Sequence, residues 1–350
     1  MYRRTLDVRS GVGQLMHAQA LGLRAAGARV RMMCRRGRLR YFARTGWFAQ
    51  RVSDRGVAEL DRDRSSFLID HELEMPRADL VFAHGLIGEA LRLQSRPDWA
   101  VLHEREQAFF RALDAAPPIV TCSELMKAAL VEHYALDPER IRVHYPGCRA
   151  DRFTPSRVPA LRAAARRALG IDDAVPVIGF VTSGDFQNRG LDIFLAAAER
   201  VREAAPDSKF LVVGSKRFPD WAGSHPLVAA GHVFHRPKSG RPDLWMGALD
   251  LFLYPSRFDA YGIVVAEAQA LGLPIVTSRR VGAAECLPPQ YAPWLTDLPD
   301  SDQLAALALR LIDDAGVRRA LGAAGAAHSA DFSRARYVDD CVRTILAQNP

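Results

Sequence analysis

The chain has 350 residues, a net charge of +7 and the apolar and charged fractions of an ordinary globular protein. Its length predicts about two domains, no apolar run approaches the ~20 residues of a membrane-spanning helix, and the start lacks the apolar core of a signal peptide. The five cysteines are dispersed, so we expect reduced thiols in a cytoplasmic protein, with neither a disulfide framework nor a metal site.

Positive charge is concentrated at the start of the chain, where the segment from Met1 to Arg64 holds 15 arginines and five acidic residues. A basic face of this kind suits an anionic membrane surface or a phosphorylated acceptor, although a genome that prefers Arg to Lys would also produce it. Nucleic acid is not expected as a partner, because no recognised binding module accompanies the charge. Most of the excess comes from Arg24, Arg29, Arg31, Arg35, Arg36, Arg38, Arg40, Arg44, Arg51 and Arg55.

A loop with two glycines, Gly11 and Gly13, precedes a helical pattern over residues 15–26. Glycine lets backbone amides approach a phosphate closely, so both residues are candidate phosphate contacts, although such pairs are also common in simple turns. An apolar strand should come before a loop of this kind. The available segment, residues 2–8, is polar and basic. Either this segment is a poor strand or the first domain lacks its first strand, and we favour the second interpretation.

From Ala78 onward, short apolar strands alternate with helices, which predicts parallel sheets of the Rossmann type. His84 and His103 each follow a predicted strand, at the sheet edge where α/β proteins bind ligands. A lone histidine is nevertheless more often structural. The predicted strands are residues 80–83, 99–102, 119–122, 141–144, 177–181, 210–213, 233–235, 251–254 and 275–277.

The stretch from Tyr254 to Glu285 reads as a strand, a loop, a helix that begins near Ile263 and ends at Gly272, and a second strand. The loop and the first turn of the helix lie at the carboxyl edge of the sheet. Exposed amides and the helix dipole suit this edge to phosphates. Gly262, Ile263 and Val264 are therefore candidate phosphate-binding residues.

Two acids in this stretch, Asp259 in the loop and Glu267 inside the helix, stand eight positions apart. An acid so near the binding edge is suited to accept hydrogen bonds from the paired hydroxyls of a ligand, whereas a solvated acid is the alternative. The flanking pattern favours the first interpretation. Pro-Ser, an acid, Gly, Glu-Ala and Ala-x-Gly-x-Pro-x-Val together resemble the signature of retaining GT-B glycosyltransferases of family four, with Asp259 at the position of that family's first glutamate.

The resemblance extends over nearly the whole chain from Gly11. It implies an α/β fold with two Rossmann-like domains facing a cleft, the GT-B architecture. It also implies an acceptor-side domain over residues 1–152, a nucleotide-sugar-binding domain over residues 153–330, and a last helix in residues 331–350 that packs back on the first domain.

The resemblance also implies roles for single residues. Arg189 takes the position of a family lysine that holds the donor diphosphate, and a cation there would stabilise the leaving group. Gly190, which follows it, is a further candidate donor-binding residue. The family's separate upstream arginine has no counterpart in this chain. The remaining implied contacts are the donor phosphate for Gly11 and Gly13, the sugar for His103 and Asp259, and the ribose hydroxyls for Glu267.

The expected activity is transfer of a sugar, with retention, from a nucleotide-diphosphate donor to a glycan or lipid-linked acceptor, without a metal or other cofactor. Members that build lipopolysaccharide core and other surface glycans are the most similar in pattern, and we expect a cytoplasmic protein with peripheral contact to the inner face of the membrane. Two alternatives stay open. One is a sugar-nucleotide 2-epimerase on the same scaffold, and the other is a non-catalytic paralogue that binds a sugar nucleotide.

Overall fold

The computed structural model describes residues 1–7, 10–37, 49–62, 66–113, 117–238 and 240–348. The chain divides into two compact units, each built on one parallel sheet. Unit 1 comprises Met1–Pro146 and Ala335–Pro350, and unit 2 comprises Gly147–Arg334. The two units are described separately.

The sheet of unit 1 has seven described strands in the order β3-β2-β1-β4-β5-β6-β7, and all of their pairings are parallel. The strand order reverses between β1 and β4, as in Rossmann-type sheets. The strands are β1 (Tyr2–Leu6), β2 (Met33–Gly37), β3 (Gln50–Arg51), β4 (Ile69–Asp70), β5 (Leu80–Ala83), β6 (Ile119–Thr121) and β7 (Ile141–Val143).

The expectation that unit 1 lacks its first strand is wrong, because β1 lies inside the sheet between β2 and β4. Tyr2 and Leu6 are buried. Between them, Arg3 forms an ion pair with Glu72, with 2.7 Å between Nε and Oε2, and Arg4 pairs with Glu74. Distant acids therefore neutralise the charges that made this segment look unlike a strand.

The predicted strand at residues 99–102 is also wrong, because Ala100–Ala112 is a helix. Val101 and Leu102 are exposed on it, whereas Phe109 and Phe110 are buried. A short apolar run does not separate a strand from one face of a helix. The helices of unit 1 are α1 (Gly11–Ala25), α2 (Asp54–Arg62), α3 (Ile87–Arg92), α4 (Ala100–Ala112) and α5 (Glu124–Tyr134), with 3₁₀ turns at Pro97–Trp99 and Pro138–Arg140.

The last helix of the chain, Arg334–Gln348, belongs to unit 1 from Ala335 onward. It packs on α1: Gln19 Nε2 donates to Tyr337 Oη at 2.7 Å. At Gly22 a Cβ atom would lie 2.5 Å from Val338, so the glycine lets the two helices approach closely.

The sheet of unit 2 has six described strands in the order β10-β9-β8-β11-β12-β13, and all pairings are parallel. The strand order reverses between β8 and β11, so a crevice is expected at their carboxyl ends. The predicted strands 177–181 and 251–254 match β8 and β11 residue for residue. The strands are β8 (Val177–Val181), β9 (Lys209–Gly214), β10 (Val233–Pro237), β11 (Leu251–Tyr254), β12 (Ile275–Ser278) and β13 (Leu295–Thr296).

Helices flank this sheet, and its central strands β8 and β11 are completely buried. The helices are α6 (Val158–Leu169), α7 (Leu191–Ala204), α8 (Asp220–Gly223), α9 (Pro226–Ala229), α10 (Pro242–Met246), α11 (Ile263–Ala270), α12 (Ser301–Asp313) and α13 (Ala315–His328). The last helix of the chain, α14 (Arg334–Gln348), lies in unit 1 from Ala335 onward. The 3₁₀ turns are Pro155–Arg157, Gly282–Cys286, Pro289–Trp294 and Ser329–Phe332.

Three sequence predictions concern the whole chain. All five cysteines lie in the described part, are buried and form no disulfide, as expected. None of the described helices has the length and apolar character required to cross a bilayer. Of the arginine-rich segment, Arg38, Arg40 and Arg44 lie outside the described residues, so its contact with a membrane stays a prediction.

Candidate functional site

Two loops meet at the carboxyl ends of the neighbouring strands β8 and β11, and each leads into a helix. Gly190 caps α7 and Gly262 caps α11, both with left-handed backbone (φ +76° and +85°) and without a side-chain cap. At Gly190 a Cβ atom would lie 2.0 Å from the carbonyl oxygen of Pro255, so only glycine fits. Helix N-termini without a side-chain cap offer amides to an anion, and Ile263 and Val264 begin the second of them.

Arg189 lies in the first of these loops, and its guanidinium is held by the second. Nη1 donates to the carbonyl oxygen of Phe258 and to Ser256 Oγ at 3.4 Å. Nε lies 3.4 Å from Asp259 Oδ2. Burial lowers the pKa of the guanidinium, but Asp259, Tyr254 and Asp185 together outweigh this effect, so the pKa is raised. The site therefore holds a permanent cation at its carboxyl edge.

Asp259 is engaged by protein groups. Besides its ion pair with Arg189, its Oδ2 accepts a hydrogen bond from Tyr254 Oη at 2.8 Å. Its backbone bridges to Val281, and Gly282 N donates to its carbonyl oxygen at 3.0 Å. The loop that carries this acid is thus fixed to the neighbouring segment.

Glu267 projects from α11 and is half-buried. In the described part of unit 2 its carboxylate has neither a hydrogen-bond donor nor an ion-pair partner within contact distance. Burial raises its pKa to about 7, although the charges of Arg334, Arg152 and Arg149 lower it. A carboxylate that loses water without gaining protein donors is suited to accept hydrogen bonds from a ligand.

The two glycines of unit 1 do not form a loop before the helix, as the sequence indicated, but lie in the first turn of helix α1. The amide of Gly13 donates to Ser10 Oγ at 3.0 Å, so this amide is already used by the helix cap. A Cβ atom at Gly13 would lie 2.2 Å from the carbonyl oxygen of Asp7, which explains the glycine by packing. Gly11 is the first residue of the helix. Phosphate contacts from these glycines stay a prediction.

His103 does not follow a strand, as the sequence indicated, but lies in α4 and is half-buried. Its Nε2 lies 3.3 Å from Gln107 Nε2, and 3.1 Å from the position that a Cβ would take at Gly88. Its contact with a sugar stays a prediction. No metal site is evident near it or elsewhere in the described ranges, where no group of three His, Cys, Asp or Glu residues could hold an ion.

Glu106, close to His103 along the chain, has a structural role that the sequence did not reveal. Its carboxylate accepts hydrogen bonds from the amides of Ile87 (2.6 Å) and Gly88 (2.9 Å) and from Tyr134 Oη (2.7 Å). It thereby caps helix α3 from a distant part of the chain. No local pattern predicts a cap of this kind.

Two further features were not predicted from the sequence. One is the set of protein groups that hold Arg189, and the other is a histidine pair in unit 1. Tyr254 reads as a core strand residue, yet its hydroxyl binds Asp259. His71 Nδ1 and His84 Nε2 lie 3.0 Å apart, and burial keeps the pKa of both rings low, that of His84 at about 3. His84 therefore has a structural partner at the position where the sequence suggested a ligand contact.

The sequence of unit 2 is similar to that of known glycosyltransferases. Residues 175–314, all within unit 2, match the profile of the family described as "Glycosyl transferases group 1". A D-inositol 3-phosphate glycosyltransferase from Segniliparus rotundus is 33% identical over 238 residues, which are 65% of this chain and 52% of that protein. A GDP-mannose-dependent monoacylated alpha-(1-6)-phosphatidylinositol monomannoside mannosyltransferase from Corynebacterium glutamicum is 33% identical over 195 residues, or 53% and 50% of the two chains. The chain thus spans about half the length of these curated relatives.

Solved structures match over nearly the entire chain. WaaG, a glycosyltransferase involved in lipopolysaccharide biosynthesis, has a TM-score of 0.79 at 19% identity, with 98% of each chain covered. Anabaena Alr3699/HepE in complex with UDP has a TM-score of 0.78 at 14% identity, with 99% of each chain covered. At these identities the likeness defines the fold. Residues 175–314 thus match the glycosyl transferases group 1 family, in a chain that has the two Rossmann-like domains of the GT-B fold.

Proposed function

We propose that the protein is a glycosyltransferase whose nucleoside-diphosphate sugar donor binds at the carboxyl edge of the unit 2 sheet. One observation carries this proposal. Neighbouring strand ends present a fixed cation, Arg189, two helix N-termini without side-chain caps, and a half-buried acid, Glu267, that has no protein donor among the described residues. These groups complement the phosphates and the paired hydroxyls of a nucleotide.

Each group has a distinct part in the proposed reaction. Glu267 accepts hydrogen bonds from the ribose hydroxyls and so orients the donor. Arg189 and the first-turn amides at Ile263 and Val264 stabilise the negative charge that develops on the departing diphosphate. Both effects favour cleavage of the bond between the anomeric carbon and the phosphate oxygen.

We further propose transfer with retention and without a divalent metal. In this mechanism the acceptor hydroxyl attacks the anomeric carbon from the face of the leaving group, and its proton passes to the departing phosphate oxygen. His103 contacts the sugar near the reacting carbon. The support for these details is the family resemblance of the sequence, which is strongest over residues 254–285.

The relatives suggest the class of acceptor. The two curated relatives are named for inositol 3-phosphate and for a phosphatidylinositol mannoside, so we propose a phosphorylated polyol or a phosphoinositol glycolipid. A surface glycan is the second candidate, because the matched WaaG structure is described as involved in lipopolysaccharide biosynthesis.

Calorimetric binding of UDP, GDP and ADP to the purified chain tests the donor site. We expect one of these nucleotides to bind, and Glu267→Gln to weaken that binding by about tenfold or more, because a neutral amide accepts ribose hydrogen bonds less strongly than a carboxylate. Glu203→Gln, at an exposed position of α7, is the matched control and should bind as the wild type does. Binding that is unchanged in Glu267→Gln would contradict the assignment.

A further inference from the structure

Arg189 is fixed within the protein before any ligand is bound. Its Nη1 donates to the carbonyl oxygen of Phe258 and, at 3.4 Å, to Ser256 Oγ, while its Nε pairs with Asp259 at 3.4 Å. A long cationic side chain held by three acceptors has already lost most of its rotamer freedom. The cost of ordering it therefore does not fall on ligand binding.

The acid that holds Arg189 is fixed in turn by strand β11. Tyr254, the last residue of that strand, is 1% exposed and donates from Oη to Asp259 Oδ2 at 2.8 Å. The same carboxylate oxygen faces Arg189 Nε. A rigid buried strand thus determines where the carboxylate lies, and the carboxylate determines where the guanidinium lies.

One nitrogen of the Arg189 guanidinium remains available to a ligand. Arg189 Nη2 has no acceptor in the described part of the chain, whereas Nη1 and Nε are occupied. A Cβ at Gly184 would lie 3.0 Å from Arg189 Nε, so a side chain there would crowd the guanidinium. Two nitrogens hold the group in place, and the third can donate to a phosphate oxygen.

We propose that Asp259 and Tyr254 are positioning residues that aim Arg189 at the second phosphate of the donor, and that they thereby make the site selective for nucleoside diphosphates over monophosphates. This inference rests on the proposed function. It gives Asp259 a role that acts through Arg189, in contrast to the direct sugar contact implied by the sequence resemblance. The two roles predict different binding patterns.

The experiment measures the affinity of each variant for the nucleoside, the monophosphate and the diphosphate of uridine, guanosine and adenosine, and for a sugar nucleotide of the preferred base. In the wild type the diphosphate should bind at least tenfold more tightly than the monophosphate for the preferred base. Asp259→Asn should remove most of this difference and leave nucleoside affinity unchanged, because it removes the ion pair that holds Arg189. Tyr254→Phe should reduce the difference about threefold to tenfold, because it removes the hydrogen bond that orients the Asp259 carboxylate. In an Arg189→Gln background, Asp259→Asn should have no further effect.

Asp259→Asn leaves a buried cation without its partner and can fail to fold, whereas Tyr254→Phe keeps the ion pair and removes only one hydroxyl. Thermal unfolding of both variants identifies a folding failure. If Asp259→Asn does not fold, the nucleotide affinities of Tyr254→Phe alone test the inference. Unchanged diphosphate affinity in a folded variant, with weaker binding only of the sugar nucleotide, overturns the inference and leaves the proposed function intact. A wild type that binds none of the nucleotides overturns both.

Discussion

Glu267 should make nucleotide binding depend on pH near neutrality. Burial raises the pKa of this carboxyl from 4.5 to about 7, so a large fraction of the unliganded protein carries a neutral Glu267 in mildly acidic solution. Ribose hydroxyls donate hydrogen bonds more strongly to the ionised form. Binding must therefore remove a proton, and its apparent affinity must fall as the pH falls through 7.

The size of this pH dependence follows from the shift in the pKa of Glu267. With a pKa of about 7, the affinity should fall about tenfold between pH 8 and pH 6, or about 1.4 kcal/mol. With the usual pKa of 4.5, the same change of pH would alter the affinity by only a few per cent.

Calorimetric titration of the preferred nucleoside diphosphate at several values between pH 6 and pH 8 measures this slope. The phosphate groups of the ligand also titrate in this range, and Glu267→Gln serves as the control because its side chain cannot ionise. The wild type should show the additional tenfold loss of affinity between pH 8 and pH 6, and the variant should not. Equal slopes in the two proteins would refute the role assigned to Glu267.

The same shift affects the stability of the unliganded protein. Because the folded pKa lies above the unfolded value, the contribution of Glu267 to stability is fully present below about pH 4.5 and is lost as the pH rises through about 7. Ionised Glu267 should thus destabilise the unliganded fold at pH 8, by at most about 3 kcal/mol, since the group is only half-buried. In urea denaturation at pH 8, Glu267→Gln should be more stable than the wild type, and it should lose this advantage near pH 5.

Three further substitutions test the structural framework by chemical denaturation. Gly190→Ala places a methyl group 2.0 Å from a carbonyl oxygen and should cost at least about 3 kcal/mol, whereas Gly231→Ala, with a similar positive φ but open space around it, should cost only about 1–2 kcal/mol. Glu106→Gln weakens a buried cap of α3 and should cost about 2 kcal/mol, while Glu104→Gln, at an exposed position, should change stability by less than about 0.5 kcal/mol. Arg166→Met removes a buried cation that donates to four carbonyl groups and one carboxylate, and should cost about 3 kcal/mol or more. Equal costs within either matched pair, or a stable Arg166→Met variant, would contradict the contacts described.

The elements that local sequence predicts correctly are those whose burial does not depend on distant charges. Strands β8 and β11 are runs of consecutive apolar residues that are buried on both faces, and the sequence predicts their bounds without error. Strand β1 escaped prediction because Arg3 needs Glu72, 69 positions away, to enter the sheet. Residues 99–102 were misread because the apolar side chains of Val101 and Leu102 are exposed on a helix.

The residues of the site also divide into those that the local sequence predicts and those that depend on distant contacts. The glycines and acids of residues 254–285 can be recognised from the local sequence pattern, because a helix that starts at the end of a strand requires particular residues there. The roles within the site depend on contacts across the sheet. The hydrogen bond from Tyr254 to Asp259 and the ion pair to Arg189 join three segments of the chain, and spacing along the sequence contains no information about such distances.

The proposed reaction is acceptor-dependent transfer of a sugar from a nucleoside-diphosphate donor. It is tested most directly by incubating the purified chain with the sugar nucleotides of the base that binds, with and without inositol phosphate or a membrane glycolipid fraction, and following the reaction by NMR. We expect nucleoside diphosphate to be released only when acceptor is present, the anomeric configuration to be retained in the product, and the reaction to be lost in Glu267→Gln. Isomerisation of the sugar nucleotide without acceptor, or binding without any turnover, would contradict the account.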